Sequence, residues 1–185
     1  MGVRLLWNDR LRRAAERLRE PDILFRPDQP GQANTPYLTK EILEDWFVEI
    51  GNQLLRECTL MELEAVGSVA LKKQALTSQV FALPRNLIDV INVQIDGCVS
   101  VQVSPTKFAM VGTAIPQARA RFWTIVGTSI LYRGTNAQAY LLTEPTLEDW
   151  QSDKPILPGS KDEEMITYAT QMAALTDSLP EGVVG

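Results

Sequence analysis

IDVINVQIDGCVSVQV, residues 88–103, alternates apolar and polar side chains and changes direction at Asp96-Gly97. Ile91, Val93 and Ile95 fall on one face, and Asn92, Gln94 and Asp96 on the other. Val99, Val101 and Val103 carry the alternation on beyond the turn. A period of two with one apolar face predicts two half-buried strands, and Asp-Gly between them predicts a tight hairpin. Upstream, TKEILEDWFVEIGNQLLREC (residues 39–58) has a different period. Ile42, Trp46, Ile50 and Leu54 recur at every fourth position, flanked by Leu43, Phe47 and Leu55. That spacing predicts a helix with a wide apolar stripe, with Thr39 as N-cap and Glu41 in the dipole-favoured first turn. On this stripe Trp46 is a core residue, and Trp46→Ala is expected to cost about 3–5 kcal/mol. A long amphipathic helix followed by a hairpin makes the fold α+β.

Working outward, FWTIV (122–126) and SILYR (129–133) flank Gly127-Thr128 as a second hairpin, and QAYLLT (138–143) reads as a further strand. ALTSQVFAL (75–83) reads as an extended segment that stops at Pro84. Residues 60–66 continue or restart the helix, and Gly67 marks a break. Residues 104–121 are ambiguous, and Thr146–Trp150 reads as a turn. Ser160 with Glu163 forms a capping box ahead of a final helix whose apolar face is Met165, Ile166, Ala169, Met172 and Ala173. Asp162, Glu163 and Glu164 then complement the helix dipole and need no ligand. At the other end Val3, Trp7, Leu11, Ala14 and Leu18 line one face of a helix that stops at Pro21. Residues 21–37 hold four Pro and one Gly, the composition of a linker. The expected organisation is an N-terminal arm helix and Pro-rich linker (1–38), a domain of amphipathic helices packed with a small antiparallel β-sheet and hairpin region (39–177), and an extended C-terminal tail (178–185).

The chain has 185 residues, 45% hydrophobic and 22% charged, which excludes global disorder and suits one folded domain. No apolar run approaches the ~18 residues of a membrane span, and the N-terminus is too charged for a signal-peptide core. Histidine is absent, which removes Ser-His-Asp and Cys-His nucleophile pairs and most transition-metal sites. The two cysteines, Cys58 and Cys98, cannot build a disulfide framework and have no His to activate them. They fit a reducing, cytosolic compartment. PGSKDEE lacks the glycine spacing of a phosphate loop. The chain is therefore expected not to be an enzyme and to carry no cofactor or metal. The net charge of −5 argues against general attraction to nucleic acid. Charge is also segregated. Residues 1–26 hold seven Arg against four acids, and residues 144–185 nine acids against two Lys. Such ends attract within one subunit or between copies.

The order of elements resembles the head-to-tail adaptor (connector) proteins of tailed bacteriophages, in particular the short-tailed type. The pieces are KEILEDWFVEIGNQLLREC, then VFALPRNLIDVINVQIDG with its Leu-Pro and Asp-Gly. FWTIVGTSILYRG follows, and KPILPGSKDEEMITYATQMAAL completes the pattern. The match covers about residues 39–177; residues 1–26 lie outside the common pattern. The resemblance implies a virion structural protein in the neck between capsid and tail, assembled in the host cytoplasm. It implies a homo-oligomeric ring, twelve-fold in the family, under the portal protein. The ring would dock a tail nozzle or tail tube protein and pass dsDNA through its lumen without sequence-specific binding or any membrane contact. Leu179, Pro180, Val183 and Val184 become portal-contact candidates. Apart from the resemblance, a helix set off by a Pro-rich linker either reaches out as an arm, which makes Trp7, Arg12, Arg13 and Arg17 candidates for subunit or tail contact, or folds back as a further core helix. A tail-completion or tail-terminator protein is the alternative. A remote one is a metal-dependent nuclease using acids such as Asp162.

Overall fold

The computed structural model describes residues 4–20, 24, 38–114 and 121–177. In chain order the helices are α1 (Trp7–Arg17), α2 (Lys40–Glu57), α3 (Leu60–Val66), α4 (Pro105–Ala114), α5 (Leu147–Gln151) and α6 (Asp162–Asp177). The strands are β1 (Leu71–Leu76), β2 (Val80–Ala82), β3 (Leu87–Ile95), β4 (Cys98–Val99), β5 (Val101–Gln102), β6 (Phe122–Val126), β7 (Ser129–Arg133) and β8 (Ala137–Thr143). The fold is α+β. The chain forms two compact units, residues 1–69 with 145–185, and residues 70–144. The boundaries fall at 69/70 and 144/145, not at the expected 38/39. The described part of the supposed arm belongs to the first, helical unit.

In the helical unit α6 packs against both α1 and α2. Thr39 caps α2 by accepting from the Ile42 N–H at 3.3 Å, as its sequence predicts. The buried face of α2 is Leu43, Phe47, Ile50, Gly51, Leu54 and Leu55. The stripe is thus rotated toward Phe47, and Trp46 is only half-buried. Trp46→Ala should consequently cost less than the core value, and Phe47→Ala about 3–5 kcal/mol in denaturant unfolding. Gly51 makes room for Trp150: a Cβ there would lie 2.5 Å from the indole ring. Residues 60–66 restart as α3 behind a capping box between Thr59 and Glu62. The box expected at Ser160 and Glu163 does not form; Gly159–Lys161 is a 3-10 turn and α6 begins at Asp162. The Thr146–Trp150 turn is instead the start of α5, capped reciprocally by Thr146 and Asp149.

The β unit contains two four-stranded sheets, β1-β8-β3-β4 and β2-β7-β6-β5. The first is antiparallel throughout; in the second only β5 and β6 run parallel. Their inner faces share one core that includes Leu76, Val93, Ile95, Trp123, Ile130, Tyr132 and Leu141. The 122–133 hairpin forms as predicted. The 88–103 hairpin forms only at its tip, because the chain changes sheets at Ser100. The Ser100 N–H and hydroxyl both donate to the Val93 carbonyl. The next residue turns away: the Val101 N–H donates to Arg121 at 3.0 Å, joining the second sheet. The main partner of β3 is β8, with register shifts between Leu87 and Asp89 and between Val90 and Asn92. The second shift lets Val90 and Val93 both be buried despite their odd spacing. The extended 75–83 segment holds only the end of β1, which begins at Leu71, and all of β2, with 77–79 between them.

Asp96 and Gly97 adopt φ of 53° and 75°, the left-handed pair that a tight hairpin turn needs. The Asp96 carboxylate accepts from the Asn136 N–H at 2.9 Å and the Thr135 N–H at 3.2 Å, tying the turn to the β7–β8 loop. These donors hold its pKa below the usual carboxylate range. Gly134 in that loop has φ of 143°, and a Cβ there would collide with the Ile95 side chain. Gly134→Ala is expected to destabilise the β unit, read as faster amide hydrogen exchange in β3 and β8 than in the wild type.

Candidate interaction surface

α1 is fixed to its unit by a polar clasp. Leu6 stands at its N-cap and offers no side-chain acceptor. Asp153 supplies one from a distant turn, where φ of 57° aims its carboxylate at the Trp7 N–H, 2.6 Å away. Asp162 accepts from the Leu5 N–H at 2.6 Å and from Arg10 Nε at 2.8 Å, with Arg10 Nη2 at 2.7 Å. Two acids at a helix N-terminus also suit its dipole. Arg4 completes the clasp by donating to the Asp153 and Lys154 carbonyls, each at 2.6 Å. Burial lowers the Arg10 guanidinium from its ordinary pKa, and Asp162 opposes that shift.

Trp7 is 2% exposed, packed edge-on to Phe47 at 5.8 Å and tilted against Trp150 at 6.1 Å. It is a core residue, so the outward-contact role expected of it is corrected: burying its ring on its own unit outweighs leaving it in water. Asp162 stands in the first turn of α6, as expected, but it is 2% exposed and its carboxylate is taken by Arg10, which leaves no free ligand for the metal of the nuclease alternative. Among the described residues no group of three His, Cys, Asp or Glu is placed to hold a metal ion, and no helix is long and apolar enough to cross a membrane. Cys58 is buried and its thiol pKa is pushed up by that burial, which suppresses the thiolate.

Arg12, Arg13 and Arg17 remain on the outer face of α1, with side chains 62%, 47% and 44% exposed. Arg12 pairs with Asp9 at 2.9 Å, while Arg17 and Arg13 meet Glu163 at 2.6 and 3.5 Å. Arg17 chiefly lowers the Glu163 pKa. Beside this row lies an open groove of about 400 Å³ between α2 and α6, lined by Ile50, Leu54, Glu57, Glu163, Glu164, Thr167, Tyr168 and Gln171. Lys161 reaches both Glu57 (3.5 Å) and Glu164 (3.0 Å), and its pKa is raised, mainly by the Glu164 hydrogen bond. Further acids, Glu41, Asp45 and Glu49, are exposed at every fourth position of α2. Like charges at that spacing repel. The unit therefore presents a basic row and an acidic groove. The charge asymmetry of the sequence anticipates both. It does not show that Arg13 and Arg17 reach Glu163 across the surface, or that the groove needs α2. Leu179, Pro180, Val183 and Val184 lie outside the described residues.

A cleft of about 470 Å³ is lined by Arg4, Glu62, Ala65, Val66, Pro155, Pro158, Gly159 and Ser160. Its two charged groups are already engaged, Glu62 by the Thr59 cap and Arg4 by the clasp. In α5, the Lys154 hydrogen bond and then the Thr146 N–H hold the Asp149 pKa at about 2, below its usual 3.8. A depressed carboxylate stabilises the fold fully above the unfolded pKa and loses that contribution as pH falls through the folded one. Stability should decline between about pH 4 and pH 2, and Asp149→Asn should flatten that part of the profile in acid titration. No family model matches the chain, and no curated protein matches its sequence.

Proposed function

We propose that the chain is a structural protein of a virion neck, a head-to-tail adaptor that forms a ring under the portal and receives the tail. The observation that carries this reading is the order of its elements. A long helix precedes the β unit. The Leu83-Pro84 stop, the Asp96-Gly97 turn and the Phe122–Arg133 hairpin all lie within that unit. Leu157-Pro158 and an acid-led helix follow it. This is the succession that marks the adaptor resemblance. A surface with separate basic and acidic patches suits a protein that works by assembly. Ring contacts are heterologous, so each copy uses two different patches. A net charge of −5 suits a lumen through which dsDNA slides, because an acidic wall releases no counterions on contact. In this reading Leu179, Pro180, Val183 and Val184 face the portal, and Arg12, Arg13 and Arg17 face a neighbouring copy or the tail.

The test is light scattering of the full chain, alone and mixed with the portal protein of the same genome. Entry into a large complex with portal is the expected result. A chain that stays separate in the mixture overturns the reading and favours tail completion.

A further inference from the structure

We propose that the acidic groove between α2 and α6 seats the arginine row of α1 from a second copy of this chain. The proposal takes the repetition of this contact around a ring from the adaptor reading, while its chemistry stands on the surface itself. The local ion pairs leave bonding capacity on both sides. Arg12 pairs with Asp9, while Arg13 and Arg17 both rely on the carboxylate of Glu163, so these two guanidiniums are free to take a further acceptor. Glu57 and Glu164 share the single ammonium of Lys161, so the groove keeps an excess of negative charge. Ile50 and Leu54 floor the groove, which gives the aliphatic stems of arginine an apolar surface to lie on. Guanidinium suits this seat better than ammonium, because its planar fork can meet two carboxylates and is weakly hydrated.

Exposed ion pairs are individually weak, about 0–1 kcal/mol, so one such contact is salt-sensitive and reversible. That is the behaviour needed of a subunit that joins others in register and closes a ring.

The experiment uses two full-length variants and sedimentation velocity at low and high salt. The first carries Arg12→Glu, Arg13→Glu and Arg17→Glu; the second carries Glu57→Lys and Glu164→Lys. The wild type is expected to associate at low salt and dissociate at high salt. Each variant alone should associate at least ~10-fold more weakly, since like charges then meet. An equimolar mixture should recover association, because each row then faces a groove of opposite sign. Circular dichroism verifies folding. If a reversed variant does not fold, the neutral set Arg12→Gln, Arg13→Gln and Arg17→Gln replaces it, again with at least ~10-fold weakening expected. A wild type that is monomeric at low salt overturns the proposal. So do folded variants that associate like wild type, or a mixture that recovers nothing. A mixture that stops at pairs upholds the contact and overturns the ring.

Discussion

Asp162→Asn is expected to destabilise the helical unit by about 3–5 kcal/mol, the usual cost of removing one partner from a buried ion pair. Arg10 is 4% exposed and Asp162 2% exposed, so the guanidinium left behind cannot regain water without opening the junction of α1 and α6. The Leu5 N–H loses a charged acceptor in the same step. Denaturant unfolding followed by tryptophan fluorescence measures the loss, since Trp7, Trp46 and Trp150 all belong to this unit. Arg10→Met with Asp162→Leu should recover part of it, because an apolar pair of similar volume leaves no buried charge. A loss below about 1 kcal/mol for Asp162→Asn would mean that water reaches the pair.

Trp7→Ala should cost about 3–5 kcal/mol, the range for deleting a buried aromatic ring. Trp7 lies between Phe47 and Trp150, so the substitution leaves a void bordered by α2 and α5. Trp7→Phe keeps most of the volume but gives up the indole hydrogen bond to Glu44, 3.2 Å long, and should cost less than half as much. An outward-reaching arm would show almost no loss for either change, which makes the pair of variants decisive about how α1 is used.

The bounds of α2 are legible in the sequence almost to the residue, because Thr39 is a cap, whereas its buried face is turned from Trp46 toward Phe47 by the partners it packs on. The Asp96-Gly97 turn and the 122–133 hairpin are legible for the same reason: the signal is local chemistry. What is not legible depends on partners far along the chain. Arg10 sits in a run of arginines that reads as a solvated face, and nothing near it announces Asp162, 152 positions away. Asp162 sits in an acid cluster that the helix dipole alone accounts for, and only the folded chain sets Arg10 against it. Val99 and Val101 continue a perfect alternation, yet they are 71% and 59% exposed because the chain changes sheets between them. Of the candidate surface, the arginine row follows from helical spacing alone. The groove does not, since α2 and α6 meet only in three dimensions.

The β unit enters and leaves on neighbouring strands: Leu71 of β1 lies opposite Leu142 of β8. This has a consequence for the order of folding. The helical unit is interrupted by residues 70–144, and joining its two parts across an open chain of that length costs about 4 kcal/mol of loop-closure entropy. Once β1 and β8 pair, those two points are a strand spacing apart and the cost has already been met. The helical segments then close as if joined by a short turn, and a β unit that forms first sets the pace for everything built around it.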